Sequence, residues 1–85
     1  DHIYERFLPL NSSGAPAIGG MPLFISGLGG APATPFGDAT AGSAFRYNSN
    51  HGALSLNLTP RAFSWGFISA LDGSTLDAGT STCAP

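Results

Sequence analysis

The chain has 85 residues, with five acidic residues and three arginines that give a formal net charge of −2, and it contains no lysine. Charged residues make up 9% of the sequence, against roughly 25% in ordinary globular domains, and the arginines form no basic stripe, so we expect no nucleic-acid partner. The longest mostly apolar run, residues 21–36, is broken by proline and glycine and is too short to cross a bilayer, so we expect no membrane span.

The first half of the chain predicts one short strand between two loops. Residues 11–20, NSSGAPAIGG, are almost all small or turn-forming and predict a loop. Residues 21–26, MPLFIS, contain a short continuous apolar run, which favours a buried strand. Residues 27–50 are rich in glycine, proline, serine and threonine and have no helical period, so we expect a long irregular loop there.

The clearest pattern lies in residues 51–70, which predict a β-hairpin. Leucines at positions 54, 56 and 58 alternate with polar residues, and beyond a Thr-Pro-Arg-Ala turn the aromatic residues at 63, 65 and 67 alternate in the same way. Pairing of these two rows would stabilise the hairpin, but its apolar face would still need a cover. Residues 71–85 predict a tail with an Asp72-Gly73 turn and a short strand near Ser74 to Leu76.

The expected fold class is therefore mostly β, a single incomplete domain over residues 1–85 with no amphipathic helix. The SGLGG turn at residues 26–30 follows a predicted strand, which is where a phosphate-binding loop would lie. The dinucleotide fingerprint needs a glycine at position 32, where Pro32 stands, and a helix after it, so we reject that interpretation.

Modification sites are suggested at three positions. Asn11 and Asn57 each begin an Asn-X-Ser/Thr tripeptide and are candidate N-glycosylation sites. Cys83 is the only cysteine, so it is either a free thiol or bonded to a cysteine elsewhere.

The two histidines, His2 and His51, are the obvious candidates for metal binding. A catalytic metal site needs about three protein ligands, and Asp1 could join the histidines, but the spacing of the three residues does not require such a site. Neither histidine is flanked by a nucleophile motif, so no Ser-His-Asp arrangement is indicated.

Four segments resemble one known family. DHIYER resembles the end of the GHxHxYER signature of calcineurin-like metallophosphoesterases, the superfamily that includes purple acid phosphatases. FISGLGG resembles the strand and glycine turn that follow this signature in secreted members, and residues 51–68 resemble their closing hairpin. STLDAGTSTC is similar to their F-D-S-G-x-G-x-C ending, so the resemblance covers nearly the whole chain in the correct order.

The resemblance implies roles for the opening residues. His2 matches the second histidine of the signature, a ligand of a two-metal centre that would clamp the attacking and leaving oxygens of a phosphoryl displacement. Asp1 occupies the variable position, while Tyr4, Glu5 and Arg6 match a segment that supports the site. The first histidine and the upstream Asp, Asn and His ligands of the family are missing from this sequence. We therefore expect the chain by itself to hold no dinuclear centre.

The resemblance also implies a place in a larger fold, the last strands of a four-layer α/β/β/α sandwich. In that setting Cys83 would bond to a cysteine of an upstream region. The chain would then begin inside the signature, as the C-terminal fragment of a secreted metal-dependent phosphoesterase that is inactive without its upstream catalytic region.

A second hypothesis is a structural subunit. A chain this short buries little more than roughly 60% of its unfolded surface, so we expect it to need a partner. Low charge and apolar strands such as ALSLNL also favour pairing with copies of itself. The alternative function is thus a self-assembling β-rich subunit of an extracellular fibre that carries sugar on exposed side chains.

Overall fold

The computed structural model describes residues 2–83, which form six β-strands in two three-stranded antiparallel sheets, with no helix in that range. The first sheet has the order β2-β1-β3 and the second the order β4-β5-β6. None of the described residues therefore forms a helix able to span a membrane. The prediction of a mostly β fold is confirmed. The strands are β1 (Tyr4–Leu10), β2 (Met21–Ser26), β3 (Ser43–Tyr47), β4 (Gly52–Leu58), β5 (Ala62–Ser69) and β6 (Thr75–Thr82).

The predicted hairpin is confirmed as β4 and β5, in the expected register. Its three leucine–aromatic pairs lie directly opposite one another, and the hydroxyl of Thr59 donates to the carbonyl of Ala62 to close the turn. Strand β2 coincides with the predicted strand at residues 21–26, but the prediction that it is buried is wrong, because β2 is an edge strand with Met21 and Leu23 exposed. The pairs are Leu54 with Phe67, Leu56 with Trp65 and Leu58 with Phe63.

Two segments are more regular than predicted. Residues 27–50 are not a continuous irregular loop, because Ser43–Tyr47 forms β3 along one side of β1. The short strand expected near Ser74 to Leu76 is instead the eight-residue β6, which pairs along most of β5. Strand β3 is fixed by pairing with β1, which lies far earlier in the chain, and local propensity does not register such a partner. Strand β6 pairs with the neighbouring β5 across a short turn, but its threonine, glycine and alanine residues give little apolar alternation.

Aromatic side chains fill the space between the two sheets. Tyr4 of β1 stacks on Phe67 of β5 with 4.1 Å between ring centroids, and Phe24 of β2 meets Trp65 edge-on at 5.3 Å. Tyr4, Phe67 and Leu28 are completely buried. The first sheet thus supplies the cover that the apolar face of the hairpin requires, because these rings bury large areas and gain from their mutual geometry.

That cover is incomplete. Leu54 packs against the core, but Leu56 is 51% exposed and Leu58 is 73% exposed. Both residues lie on β4, which is an edge strand of the second sheet. The far half of the hairpin therefore presents apolar side chains and an unpaired strand edge to solvent.

Candidate functional site

The densest polar cluster in the described part of the chain surrounds the carboxylate of Asp77 on β6. The Tyr4 hydroxyl donates to Oδ2 of Asp77 at 2.8 Å, and Arg6 donates to both oxygens through Nε at 2.8 Å and Nη2 at 3.2 Å. The indole N–H of Trp65 adds a donation to Oδ2 at 3.3 Å. Since Tyr4 and Arg6 belong to the first sheet and Asp77 to the second, this cluster joins the two sheets.

The cluster alters the proton affinity of its members. Burial opposes ionisation of Asp77, but donation by Arg6, Tyr4 and Trp65 outweighs it, so the pKa of this carboxyl lies below its usual value. Burial and the bond to Asp77 both raise the pKa of the Tyr4 hydroxyl. The bond to Asp77 likewise raises the pKa of Arg6, although burial opposes it. The cluster therefore holds a fixed ion pair and a neutral phenol.

His2 lies at the solvent-exposed start of β1, next to the loop that follows β2. Its backbone N–H donates to the hydroxyl of Thr34, and its carbonyl accepts from the N–H of Thr34. Nδ1 of the ring lies 3.1 Å from the carbonyl oxygen of Pro32. A carbonyl only accepts, so Nδ1 must carry the proton. In the neutral tautomer with the proton on Nδ1, Nε2 carries a lone pair of the kind that binds a metal.

His51 contacts the same loop one residue earlier, at Ala31. Its Nε2 lies 2.9 Å from the carbonyl oxygen of Ala31. The loop is anchored by Leu28, which is fully buried and whose carbonyl accepts from the N–H of Gly52, the residue after His51. A Cβ at Gly52 would lie 2.7 Å from the Phe67 ring, so glycine is needed for this approach.

One loop thus holds both histidines, yet no metal centre is complete. Residues 2–83 contain no group of three or more His, Cys, Asp or Glu side chains that could hold a metal ion. Each histidine has one ring nitrogen against a loop carbonyl and the other ring nitrogen without such a contact, so this geometry alone does not distinguish His2 from His51. Asp1 lies outside the described residues.

The Tyr-Glu-Arg segment divides between the two faces of β1. Tyr4 and Arg6 point toward the second sheet and reach Asp77, whereas Glu5 points the other way and is buried. Asp77 and Trp65 were missed as partners of this segment, because Asp77 follows Arg6 by 71 residues. The only feature of the sequence that pointed to Asp77 as a partner of Arg6 was its place as a single acidic residue in a Thr- and Gly-rich segment.

The candidate modification sites are all exposed. Oδ1 of Asn11 accepts from the N–H and hydroxyl of Ser13, which forms a tight local turn, and Asn57 lies on edge strand β4. The thiol of Cys83 is free, and its backbone N–H donates to the carbonyl of Arg61. Glycosylation and a disulfide to another region remain predictions.

No protein-family model, no curated protein and no solved structure matches this chain.

Proposed function

We propose that this chain is the C-terminal part of a secreted metal-dependent phosphoesterase, in which His2 supplies one ligand of a two-metal centre. The motif order of the sequence, from DHIYER to STLDAGTSTC, motivates the proposal. The observation that carries it is the hydrogen bond from Nδ1 of His2 to the carbonyl of Pro32. Metal-binding histidines characteristically donate their second ring N–H to such an acceptor, which fixes the tautomer and the ring orientation.

The Asp77 cluster has a supporting role in this proposal. Arg6 and Tyr4 lie on the strand that begins just after His2, and both are fixed to the second sheet through Asp77. Three hydrogen bonds with the 31–34 loop hold His2 itself. The strand and the loop together would hold the imidazole in one position without a contribution from the metal.

The remaining ligands would come from a region of the protein outside these residues. A bound pair of metal ions would supply an activated water and clamp the phosphoryl oxygens. The residues of this chain would hold His2 and close one side of the site. By itself the chain is proposed to be inactive, since one imidazole cannot hold two metals.

The test uses the polypeptide as its source makes it, with His2→Ala and His51→Ala as matched variants. Both histidines are exposed and contact the same loop, so the two changes disturb the fold to a similar extent. We expect His2→Ala to lower metal-dependent hydrolysis of p-nitrophenyl phosphate by about 100-fold or more and to reduce bound metal, because a ligand is lost. We expect His51→Ala to retain both.

Two results would contradict the proposal. One is the absence of metal-dependent hydrolysis in the unmodified polypeptide. The other is a His2→Ala variant that keeps full metal content and activity.

Leu56 and Leu58 favour the second candidate function, a self-assembling subunit. They expose apolar surface on an edge strand whose backbone groups are available for pairing with another chain. In this proposal the 85-residue chain forms large particles alone, and Leu58→Lys prevents it. Light scattering that shows a monomer at concentrations where fibres should form would eliminate this candidate.

A further inference from the structure

The outer face of the first sheet carries a small polar cleft. Glu5 follows Tyr4 on β1, so its side chain points away from the second sheet. Residues 34–40 fold across this face and leave a cleft of about 270 Å³. The polar and aromatic side chains that line it are Glu5, Thr34, Phe36, Asp38, Thr40 and Arg46.

Glu5 has no partner among residues 2–83. The residue is only 7% exposed, yet its carboxylate forms no hydrogen bond or ion pair within the described range. Every fully buried polar side-chain atom of the described residues has a partner, so the oxygens of Glu5 must open onto the cleft. A carboxylate with so little exposure and no partner is incompletely solvated, and a positively charged group in the cleft would compensate for that loss.

Arg46 is not that group, although it lies directly opposite Glu5 in the β1–β3 register. Its Nη1 donates to the carbonyl of Gly37 at 2.9 Å, and its guanidinium carbon lies 4.4 Å from the centre of the Phe36 ring. Arg46 is thus held on the 36–37 segment of the loop. The cleft contains two carboxylates, those of Glu5 and Asp38, and one cation, which leaves it with a formal charge of −1.

We propose that this cleft binds an organic monocation, an alkylammonium or guanidinium group, with Glu5 as the counter-ion. One positive charge neutralises the cleft, whereas an anion would meet two carboxylates. The hydroxyls of Thr34 and Thr40 can accept further N–H donations. The volume lies just below the roughly 300 to 1,000 Å³ of drug-sized ligand pockets, which suits a small head group.

The test is a titration of the ¹⁵N-labelled chain with methylguanidinium or n-propylammonium chloride, against sodium chloride at the same ionic strength. We expect saturable shifts of the amide signals of Glu5, Thr34 and Asp38. Glu5→Gln should weaken binding by about tenfold or more, because the counter-ion is lost. Asp72→Asn, which removes an exposed carboxylate outside the cleft, should bind as the unmodified chain does.

The same spectra show whether Glu5→Gln is folded, and Asp38→Asn offers a second variant with a weaker expected loss. Non-saturable shifts, or equal binding by Glu5→Gln and the unmodified chain, would overturn the proposal.

A second titration shows whether the cation belongs to a polypeptide or is a free small molecule. The chain is titrated with the peptide Gly-Arg-Gly-amide alongside methylguanidinium. Binding of the peptide about tenfold tighter would assign the cleft to an arginine of a polypeptide, and similar binding of both would assign it to a free small cation. Failure of both to bind would overturn the proposal.

Discussion

Asp77 accepts hydrogen bonds from three side chains that come from both sheets. Arg6 and Tyr4 reach it from β1, and Trp65 reaches it from the neighbouring strand β5. The Asp77 side chain is 8% exposed and that of Arg6 is 24% exposed, so the pair is shielded from screening by solvent. Loss of the carboxylate charge would leave the Arg6 guanidinium largely buried without its counter-ion.

Asp77→Asn is therefore expected to lower the free energy of unfolding by about 3 kcal/mol, the lower end of the range for a broken buried pair because Arg6 is partly exposed. Urea denaturation followed by the fluorescence of Trp65, the only tryptophan, measures it. The control is Asp38→Asn, an exposed position expected to change stability by less than about 0.5 kcal/mol. Equal stability of the two variants would show that the cluster contributes little.

The depressed pKa of Asp77 also predicts a pH dependence. The folded state binds this proton less readily than the unfolded state, so the contribution is present above the unfolded pKa of about 3.9. It is lost as the pH falls from there through the folded pKa. We expect the unmodified chain to lose more unfolding free energy than Asp77→Asn between neutral pH and about pH 3. Parallel losses in both proteins would contradict this assignment.

At the scale of single residues, the sequence pointed to some members of the Asp77 cluster and of the Glu5 cleft but not to the residues around them. His2, Tyr4 and Arg6 were singled out by the signature they resemble, and Tyr4 and Arg6 do form contacts between the sheets. Their partner Asp77 could not be found, because nothing local marks a contact across 71 residues. The sequence also could not predict that the Glu5 carboxylate lacks a partner, since this depends on how residues 34–40 fold over β1.

Among the elements, the β4–β5 hairpin was predictable in register and β3 was not. Apolar and polar residues alternate strictly on both strands of the hairpin, and a four-residue turn joins them, so the local sequence determines the pairing. Strand β3, SAFRY, is five residues long and follows a glycine-rich segment, and its residues pair with β1 residues that lie 36 to 43 positions earlier. Strand β6 was underestimated because threonine, glycine and alanine give it little apolar alternation.

Strand β6 depends on a glycine at one position. Gly79 lies directly opposite Trp65, and a Cβ there would collide with Cζ2 and Cη2 of the indole ring. We expect Gly79→Ala to lower the unfolding free energy by about 1 to 3 kcal/mol through overpacking. Gly29→Ala is the matched control, because a Cβ at that position has open space around it. Thermal unfolding of both variants measures the difference, and equal midpoints would contradict the packing.

At the scale of the whole molecule, two sheets of three strands bury a small core and leave apolar surface uncovered. Only five hydrophobic side chains of the described residues are buried, whereas Met21, Leu58 and Leu71 are each more than 70% exposed. Of the exposed apolar residues, Leu56 and Leu58 are neighbours on one face of edge strand β4, where they offer a small apolar surface to a partner. Under the proposed function the chain would be one part of a larger catalytic protein, because a pair of metal ions would need ligands besides His2.

The mass of the polypeptide that contains these residues tests this claim most directly. It is measured on denatured, unreduced material from the source, so that a disulfide through Cys83 is retained. The proposal predicts a mass several times the 8.6 kDa of this chain, because further residues would have to supply the other metal ligands and cover Leu56 and Leu58. A mass of 8.6 kDa, with or without sugar increments, would contradict the phosphoesterase proposal and favour the self-assembling subunit.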